Sequence, residues 1–284
     1  MSHIYEALEK AEQERNKQTI KEKEKERPRI SKEVISLPST QFDVPSFPLF
    51  QTGSLAAEQF RKLRTFLIKK QPMKTIMVTS ALQGEGKSFV SANLAVGIAF
   101  DLHLHALLVD CDLRNPSLGK QFGLTDGKGL SDFLVGEESI PNLITHTKLE
   151  RLNLISGGSI PINPAELMGS KKMEAMVEEI KNRYEDRYII LDTTPILATS
   201  EPEIMTKLVD GIILVVRAGA TPRETVQQAI NLIGKEKLLG VILNQVEFKS
   251  SGLFKKYFGS NGYYHSYGYG YGYGYGRKNE KGER

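Results

Sequence analysis

The segment from residue 81 to residue 88 constrains the fold of this chain more than any other feature. It reads Ala-Leu-Gln-Gly-Glu-Gly-Lys-Ser, and it lies between an apolar run at 74–80 and a helical pattern at 87–100. A glycine-containing loop that ends in Lys-Ser and joins a strand to a helix is typical of nucleotide-phosphate binding. Ala81 stands where the strict pattern has glycine, but the later glycines and the Lys-Ser pair are present. The sequence therefore predicts a phosphate-binding loop inside an α/β domain.

The residue types of this loop suit contact with a nucleoside triphosphate. Gly84 and Gly86 let backbone N–H groups point at phosphate oxygens, and the N-terminus of the following helix adds positive potential. Lys87 would reach the β- and γ-phosphates, and the Ser88 hydroxyl would bind Mg²⁺. The loop residues predicted to bind the cofactor, ATP, are Gly84, Glu85, Gly86, Lys87, Ser88 and Phe89.

Short apolar runs alternate with helical patterns through most of the chain. The predicted strands are 74–80, 106–110, 152–156, 188–192, 211–216 and 239–244, and the predicted helices are 54–69, 87–100, 164–183, 201–207 and 222–235. Apolar runs of this kind suit strands that are buried on both faces. The predicted fold class is α/β: a P-loop NTPase with a mostly parallel central sheet flanked by helices, whose ligands bind at the carboxyl ends of the strands.

Two other predicted strands end in carboxylates. The run 106–110 leads into Asp110-Cys-Asp112-Leu-Arg114, and the run 188–192 ends at Asp192. Asp110 and Asp112 are two residues apart, so both side chains can project to one side if the chain stays extended. Because the carboxyl ends of parallel strands meet at one edge, we expect these carboxylates beside the phosphate loop, where they would hold Mg²⁺.

Composition narrows the class of protein and its expected location. Hydrophobic residues make up 40% and charged residues 25% of the 284 residues, which is ordinary for a soluble globular protein. No stretch approaches the ~20 apolar residues of a membrane span, and charge near the N-terminus argues against a signal peptide. The single cysteine excludes an internal disulfide, and the net charge of +4 gives no reason to expect nucleic acid as a partner. The expected location is cytoplasmic.

Shifts in composition predict four regions. Residues 1–33 form an arm of interleaved Lys, Arg and Glu, which is either a frayed, disordered segment or a docking helix for a partner. Residues 34–53 contain several prolines and are predicted to be a linker that lies on the domain. The folded domain is predicted at 54–250, and a flexible tyrosine-rich tail at 251–284.

The tail combines tyrosine and glycine in a way that cannot pack an ordinary core. After Tyr267 every second residue is glycine up to Gly276, so we expect the segment to be mobile. Tyrosines on a flexible backbone can be brought to a γ-phosphate without moving folded structure; the alternative is an aromatic tail that self-associates. The candidate phosphate acceptors are Tyr263, Tyr264, Tyr267, Tyr269, Tyr271, Tyr273 and Tyr275.

Three segments together resemble one protein family. The loop 81–88, the segment 110–114 and the segment 189–195 resemble the Walker A, Walker A′ and Walker B motifs of the bacterial tyrosine kinases of capsular and exopolysaccharide synthesis. The segments 129–137 and 163–167 are similar to other landmarks of that family. The resemblance implies a kinase domain related to the MinD/ParA ATPases, which uses ATP and Mg²⁺ to phosphorylate its own C-terminal tyrosines.

Roles for individual residues follow from the chemistry of phosphoryl transfer and from this resemblance. Ser88, Asp112 and Asp192 are the expected metal partners, directly or through water. The resemblance makes Asp110 the candidate base for the tyrosine hydroxyl, although Asp110 and Asp112 could exchange roles. Arg114 either stabilises phosphate charge or pairs with a carboxylate. Asn244 resembles an adenine-contacting position, and its alternative is an Asx turn.

The pattern Glu58-x-x-Arg61-x-x-Arg64 lies on the first predicted helix of the domain. By itself it is typical of a solvated charged face. The resemblance implies instead a homo-oligomeric contact in a ring, in which the tail of one subunit enters the site of its neighbour. It further implies a transmembrane activator of polysaccharide polymerisation, either fused to the kinase or separate. Because the sequence has no apolar span, we expect a separate activator, which would hold the kinase at the inner face of the membrane, and we expect a tyrosine phosphatase that resets it.

These inferences predict an ATP-dependent protein-tyrosine autokinase that regulates capsule or exopolysaccharide polymerisation and export. The alternative is a MinD/ParA-type ATPase switch without protein kinase activity. A third, non-enzymatic hypothesis is a nucleotide-sensing scaffold whose tail mediates association.

Overall fold

The computed structural model describes residues 47–246 apart from 51–53, 71–72, 125–126 and 184–185. The predicted arm, most of the predicted linker and the whole tyrosine-rich tail lie outside these residues. Within the described part of the chain, no helix combines the length and the apolar character needed to cross a membrane.

A seven-stranded sheet forms the centre of the domain, with strand order β3-β4-β2-β5-β1-β6-β7. All neighbouring strands are parallel except β3 and β4, which are antiparallel. The strands are β1 (Thr75–Ser80), β2 (His105–Asp110), β3 (Thr145–His146), β4 (Leu152–Ile155), β5 (Arg187–Asp192), β6 (Gly211–Arg217) and β7 (Leu238–Asn244).

Helices cover both faces of the sheet. They are α1 (Leu55–Ile68), α2 (Lys87–Ala99), α3 (Leu118–Gln121), α4 (Leu130–Val135), α5 (Ile140–Leu143), α6 (Pro164–Met168), α7 (Lys171–Arg183), α8 (Glu201–Met205) and α9 (Arg223–Ile233). Alternate strand residues point to opposite faces. Ile76 and Val78 therefore pack with α1 and α2, whereas Met77 packs on the other face with helices such as α4 and α7.

The predicted parallel α/β fold is confirmed, with most element ends within two residues of prediction. The prediction of a single helix at 164–183 is wrong, because this segment forms two helices, α6 and α7, with a short interruption between them. The break has a local cause: the Met173 N–H donates to Ser170 Oγ at 3.2 Å, so Ser170 caps a new helix.

The last strand differs from its prediction in burial. The run 239–244 was expected to be buried on both faces, yet β7 lies at the edge of the sheet and is partly exposed. Leu243, for example, is 63% exposed. The apolar run alone does not distinguish an edge strand from a central one, because strand order depends on contacts remote in sequence.

Core packing begins within the region predicted to be a linker. Phe47 is fully buried and its ring lies 5.1 Å from the Phe122 ring, measured between centroids. Leu49 is also in the core, within a short 3₁₀ helix (Pro48–Phe50). The core therefore includes side chains from the stretch 34–53, which was predicted to be a linker that lies on the domain.

Candidate active site

The phosphate loop joins β1 to α2 at the carboxyl edge of the sheet. Gly84 and Gly86 have φ angles of +82° and +90°, which side chains other than glycine rarely adopt. A Cβ atom at Gly86 would also lie 2.1 Å from Asn244 Nδ2. Gly86 is therefore required both for its backbone conformation and for the close approach of the β7 end.

Lys87 lies between a hydroxyl and a carboxylate. Its Nζ donates to Asp112 Oδ2 at 2.7 Å and lies 3.3 Å from Ser88 Oγ. Burial lowers the pKa of Lys87, but the charges of Asp192 and Asp112 outweigh burial and raise the pKa above its usual value. The lysine is therefore a cation held next to the acidic residues that follow β2 and end β5.

Asp192 is buried where β5 ends. Its Oδ1 accepts a hydrogen bond from Ser91 Oγ at 3.0 Å, whereas Oδ2 accepts none of normal geometry from the described residues. Burial raises the pKa of Asp192, and the nearby Lys87 charge opposes this effect. A buried carboxylate oxygen without a donor is suited to a cation or to an ordered water.

Asp110 and Asp112 have different hydrogen-bond partners. The fully buried Asp110 accepts N–H donors through Oδ2, from Ser117 and Leu118, both at 2.9 Å. Burial, with a contribution from Asp192, raises the pKa of Asp110 to about 7. Asp110 thus both anchors the turn before α3 and titrates near neutral pH.

Arg114 pairs with a carboxylate, which is one of the two alternatives for this residue. Its Nε donates to Glu201 Oε1 at 2.7 Å, and Glu201 is only 2% exposed. Burial alone would raise the pKa of Glu201, but hydrogen bonds, including that from Arg114, lower it. Sequence reasoning missed Glu201; the only signal was an acidic residue at the start of a predicted helix shortly after Asp192.

Three residues of the predicted nucleotide-binding set have side chains engaged elsewhere. The Phe89 ring packs edge-on against Phe60, with 6.1 Å between centroids. The Glu85 side chain is buried and accepts hydrogen bonds from within the loop, from the end of β6 and from the turn that follows β6. Asn244 Nδ2 donates to the Glu85 carbonyl at 2.9 Å. Glu85 and Asn244 thus support the loop, whereas Phe89 joins α2 to α1, and a linear motif does not specify these side-chain directions.

The charged pattern on α1 does not present three equivalent side chains. Arg61 forms an ion pair with the exposed Glu58. Arg64 instead donates to the Gly97 carbonyl of α2 at 3.2 Å. Glu58 and Arg61 are thus the more accessible part of the predicted ring contact, and the predicted acceptor tyrosines lie outside the described residues.

Comparison with known proteins gives the family. A family model described as an AAA domain matches residues 73–241. Tyrosine-protein kinase YwqD of Bacillus subtilis (strain 168) is 38% identical over 196 residues, which are 67% of this chain and 81% of the relative. The chain belongs to the bacterial tyrosine kinases.

The solved structures agree with this membership. The kinase domain of the Escherichia coli tyrosine kinase ETK superposes on this kinase with a TM-score of 0.68 at 28% identity, covering 81% of this chain and 86% of that domain. MinD of Pyrococcus horikoshii OT3, complexed with Mg-ADP, gives a TM-score of 0.50 at 23% identity, covering 60% and 69% of the two chains, and shows the fold alone. The protein is therefore a tyrosine kinase built on a MinD-like P-loop fold.

Proposed function

We propose that this kinase transfers the γ-phosphate of ATP to the tyrosines of its own C-terminal tail. The observation that carries the proposal is the convergence of Lys87, Asp112 and Asp192 at the phosphate loop, with Lys87 Nζ 2.7 Å from Asp112 Oδ2. Phosphoryl transfer depends mainly on positioning and on neutralising charge, and this cluster supplies both signs of charge at one place.

Ser88, Asp112 and Asp192 would hold Mg²⁺. The fit is supported by Asp192 Oδ2, which is buried and accepts no hydrogen bond of normal geometry from the described residues. Among those residues, no three His, Cys, Asp or Glu side chains are arranged to hold a metal. Mg²⁺ is usually held by one or two carboxylates and completes its shell with water and phosphate oxygens. When bound, the ion would offset charge on the β- and γ-phosphates.

Asp110 is the proposed base for the attacking tyrosine hydroxyl. Its pKa, raised to about 7, suits proton uptake near neutral pH. Both oxygens of each aspartate accept hydrogen bonds, Asp112 from Lys87 and the Asn115 N–H and Asp110 from backbone N–H groups. The preference for Asp110 therefore rests on its raised pKa and on the family resemblance. Arg114 would position the segment after β2 through its pair with Glu201.

The proposed acceptors are the seven tail tyrosines from Tyr263 to Tyr275 named above. Transfer is proposed to occur between chains in a homo-oligomeric ring, with Glu58, Arg61 and Arg64 at the contact. We expect light scattering to give a large assembly for the wild type and a smaller one for a Glu58→Ala/Arg61→Ala variant. Equal masses would contradict the contact.

The proposed biological role is regulation of capsule or exopolysaccharide polymerisation and export. This role is supported by the fact that the chain belongs to the same family of bacterial tyrosine kinases as YwqD. A separate transmembrane activator would hold the kinase at the inner face of the membrane, and a tyrosine phosphatase would reverse its modification.

The decisive experiment incubates the purified chain with γ-labelled ATP and Mg²⁺, with and without residues 263–275. Label on tyrosine that disappears with the tail supports the proposal. Phosphate release without labelled protein supports an ATPase switch instead, and neither product supports a nucleotide-sensing scaffold. Lys87→Met is the control for contaminating kinases.

A further inference from the structure

Glu85 is a buried carboxylate inside the phosphate loop, and both of its oxygens accept hydrogen bonds. Oε2 accepts the Leu82 N–H at 2.7 Å. Oε1 accepts the Arg217 N–H at 3.2 Å and the Thr221 hydroxyl. With only 2% of the residue exposed, these donors replace the water that a carboxylate would otherwise bind.

The donors come from two parts of the fold. Leu82 belongs to the phosphate loop itself, whereas Arg217 ends β6 and Thr221 lies in the turn that leads to α9. Hydrogen bonds to a charged acceptor are stronger than neutral ones, and a buried charge that loses a donor carries a desolvation penalty. The loop and the β6–α9 turn are therefore energetically tied through one side chain.

The backbone of the same loop is tied to β7. Asn244 Nδ2 donates to the Glu85 carbonyl at 2.9 Å, and Gln245 Nε2 donates to the Gly84 carbonyl at 3.4 Å. Gln245 has φ +54°, a left-handed conformation uncommon for residues other than glycine. The loop that ends in Lys87 is thus supported from the ends of both β6 and β7.

We propose that Glu85 is a positioning residue, which holds the phosphate loop in its nucleotide-binding form by anchoring it to the β6–α9 turn. Thr221 then contributes to nucleotide affinity through Glu85. This inference rests on the proposed nucleotide site and adds a residue outside the loop to its determinants. It assigns the Glu85 side chain to support of the loop, not to contact with the nucleotide.

Binding of a fluorescent ADP analogue with Mg²⁺ to the full chain tests the proposal. Glu85→Gln replaces one acceptor oxygen by an NH₂ group, which donates and cannot accept, so we expect about tenfold weaker binding. Thr221→Val keeps the side-chain shape and removes one donor, so we expect a smaller loss. Both changes weaken the hydrogen bonds between the phosphate loop and the β6–α9 turn. The double variant should therefore bind the ADP analogue only a little more weakly than Glu85→Gln does.

Two controls separate positioning from a general effect of charge or stability. Glu224→Gln removes the same charge from an exposed position in the first turn of α9, and it should bind as the wild type does. In the kinase assay, Glu85→Gln should raise the KM for ATP and largely keep kcat at saturating ATP. A loss confined to kcat or to thermal stability would overturn the proposal.

The remaining outcomes are also decisive. Wild-type affinity in Glu85→Gln, or additive losses in the double variant, would overturn the inference. If Glu85→Gln does not fold, Thr221→Val alone decides, and wild-type affinity in that variant overturns it. If the wild-type chain binds no nucleotide, the proposed function fails, which is a different result from any of these.

Discussion

Lys87 concentrates positive charge next to two of the site's carboxylates, at Asp112 and Asp192. We predict that Lys87→Met lowers tyrosine phosphorylation on the order of a hundredfold or more, because it removes a charge that would stabilise the transferring phosphate. Phosphotyrosine immunodetection measures the loss, and circular dichroism checks the fold. Lys120→Met, at an exposed position, is the matched control and should retain activity. Retained phosphorylation in Lys87→Met would contradict the assignment of the loop.

Asp110 gives the reaction a predicted pH dependence. A base works when it is deprotonated, so kcat should rise with pH as the pH passes about 7, the raised pKa of Asp110. In Asp110→Asn we expect a rate lower by about 10²-fold and no rise in that range. Asp112→Asn serves as the comparison. If the rise persists in Asp110→Asn and vanishes in Asp112→Asn, the two aspartates have exchanged roles.

At the residue scale, sequence predicted which residues gather at the site better than what their side chains contact. Lys87, Asp112 and Asp192 stand in motifs at strand ends, and parallel topology brings strand ends together. The buried Glu85, the ring contact of Phe89 and the partner of Arg114 depend on side-chain direction and on residues that are distant in the sequence. A linear pattern contains no information on such contacts.

At the scale of elements, Asp210 joins the beginnings of β1 and β6. Its Oδ2 accepts the N–H groups of Lys74 and Thr75, at 2.9 and 3.0 Å, and its Oδ1 pairs with Lys181. Burial alone would raise the pKa of Asp210, but these hydrogen bonds outweigh burial and lower the pKa to about 2. The carboxylate therefore stabilises the folded state only while it is ionised.

We predict that Asp210→Asn lowers the free energy of unfolding by about 1–2 kcal/mol at neutral pH. A lowered pKa contributes stability that is present above the usual value near 3.8 and is lost as pH falls toward about 2. The difference between variant and wild type should therefore shrink over that interval. Denaturant unfolding at several pH values measures it. A difference that stays constant down to pH 2 would contradict the role of ionisation.

Helices and strands were predictable where the hydrophobic periodicity of a segment and its length both indicated the same type of element. The long runs of β1, β2, β5 and β6 needed no tertiary information. The two-residue β3 and the four-residue helices α3 and α5 are too short to give a periodic signal, and tertiary contacts decide them. Gly129 illustrates this: a Cβ there would lie 2.2 Å from the backbone nitrogen of Gly158, so packing between loops fixes the start of α4.

At the scale of the whole molecule, transfer between chains can be separated from transfer within one chain. We predict that a Lys87→Met chain that keeps its tail becomes labelled when it is mixed with an active chain lacking residues 263–275. The active site and the acceptors are then on different molecules, so only transfer between molecules gives label. Autoradiography after separation by size measures it. Label on the intact wild type but none in the mixture would show that each chain modifies itself.

The buried ring of Phe47 has a mechanical consequence. Because Phe47 is fully buried against Phe122, a force applied to the backbone on the N-terminal side of Phe47 acts on a core residue before it acts on α1. A load that reaches Phe47 along the backbone thus acts on the sheet face that α1 and α2 cover. Phe47 therefore passes such a load directly to the core of the catalytic domain.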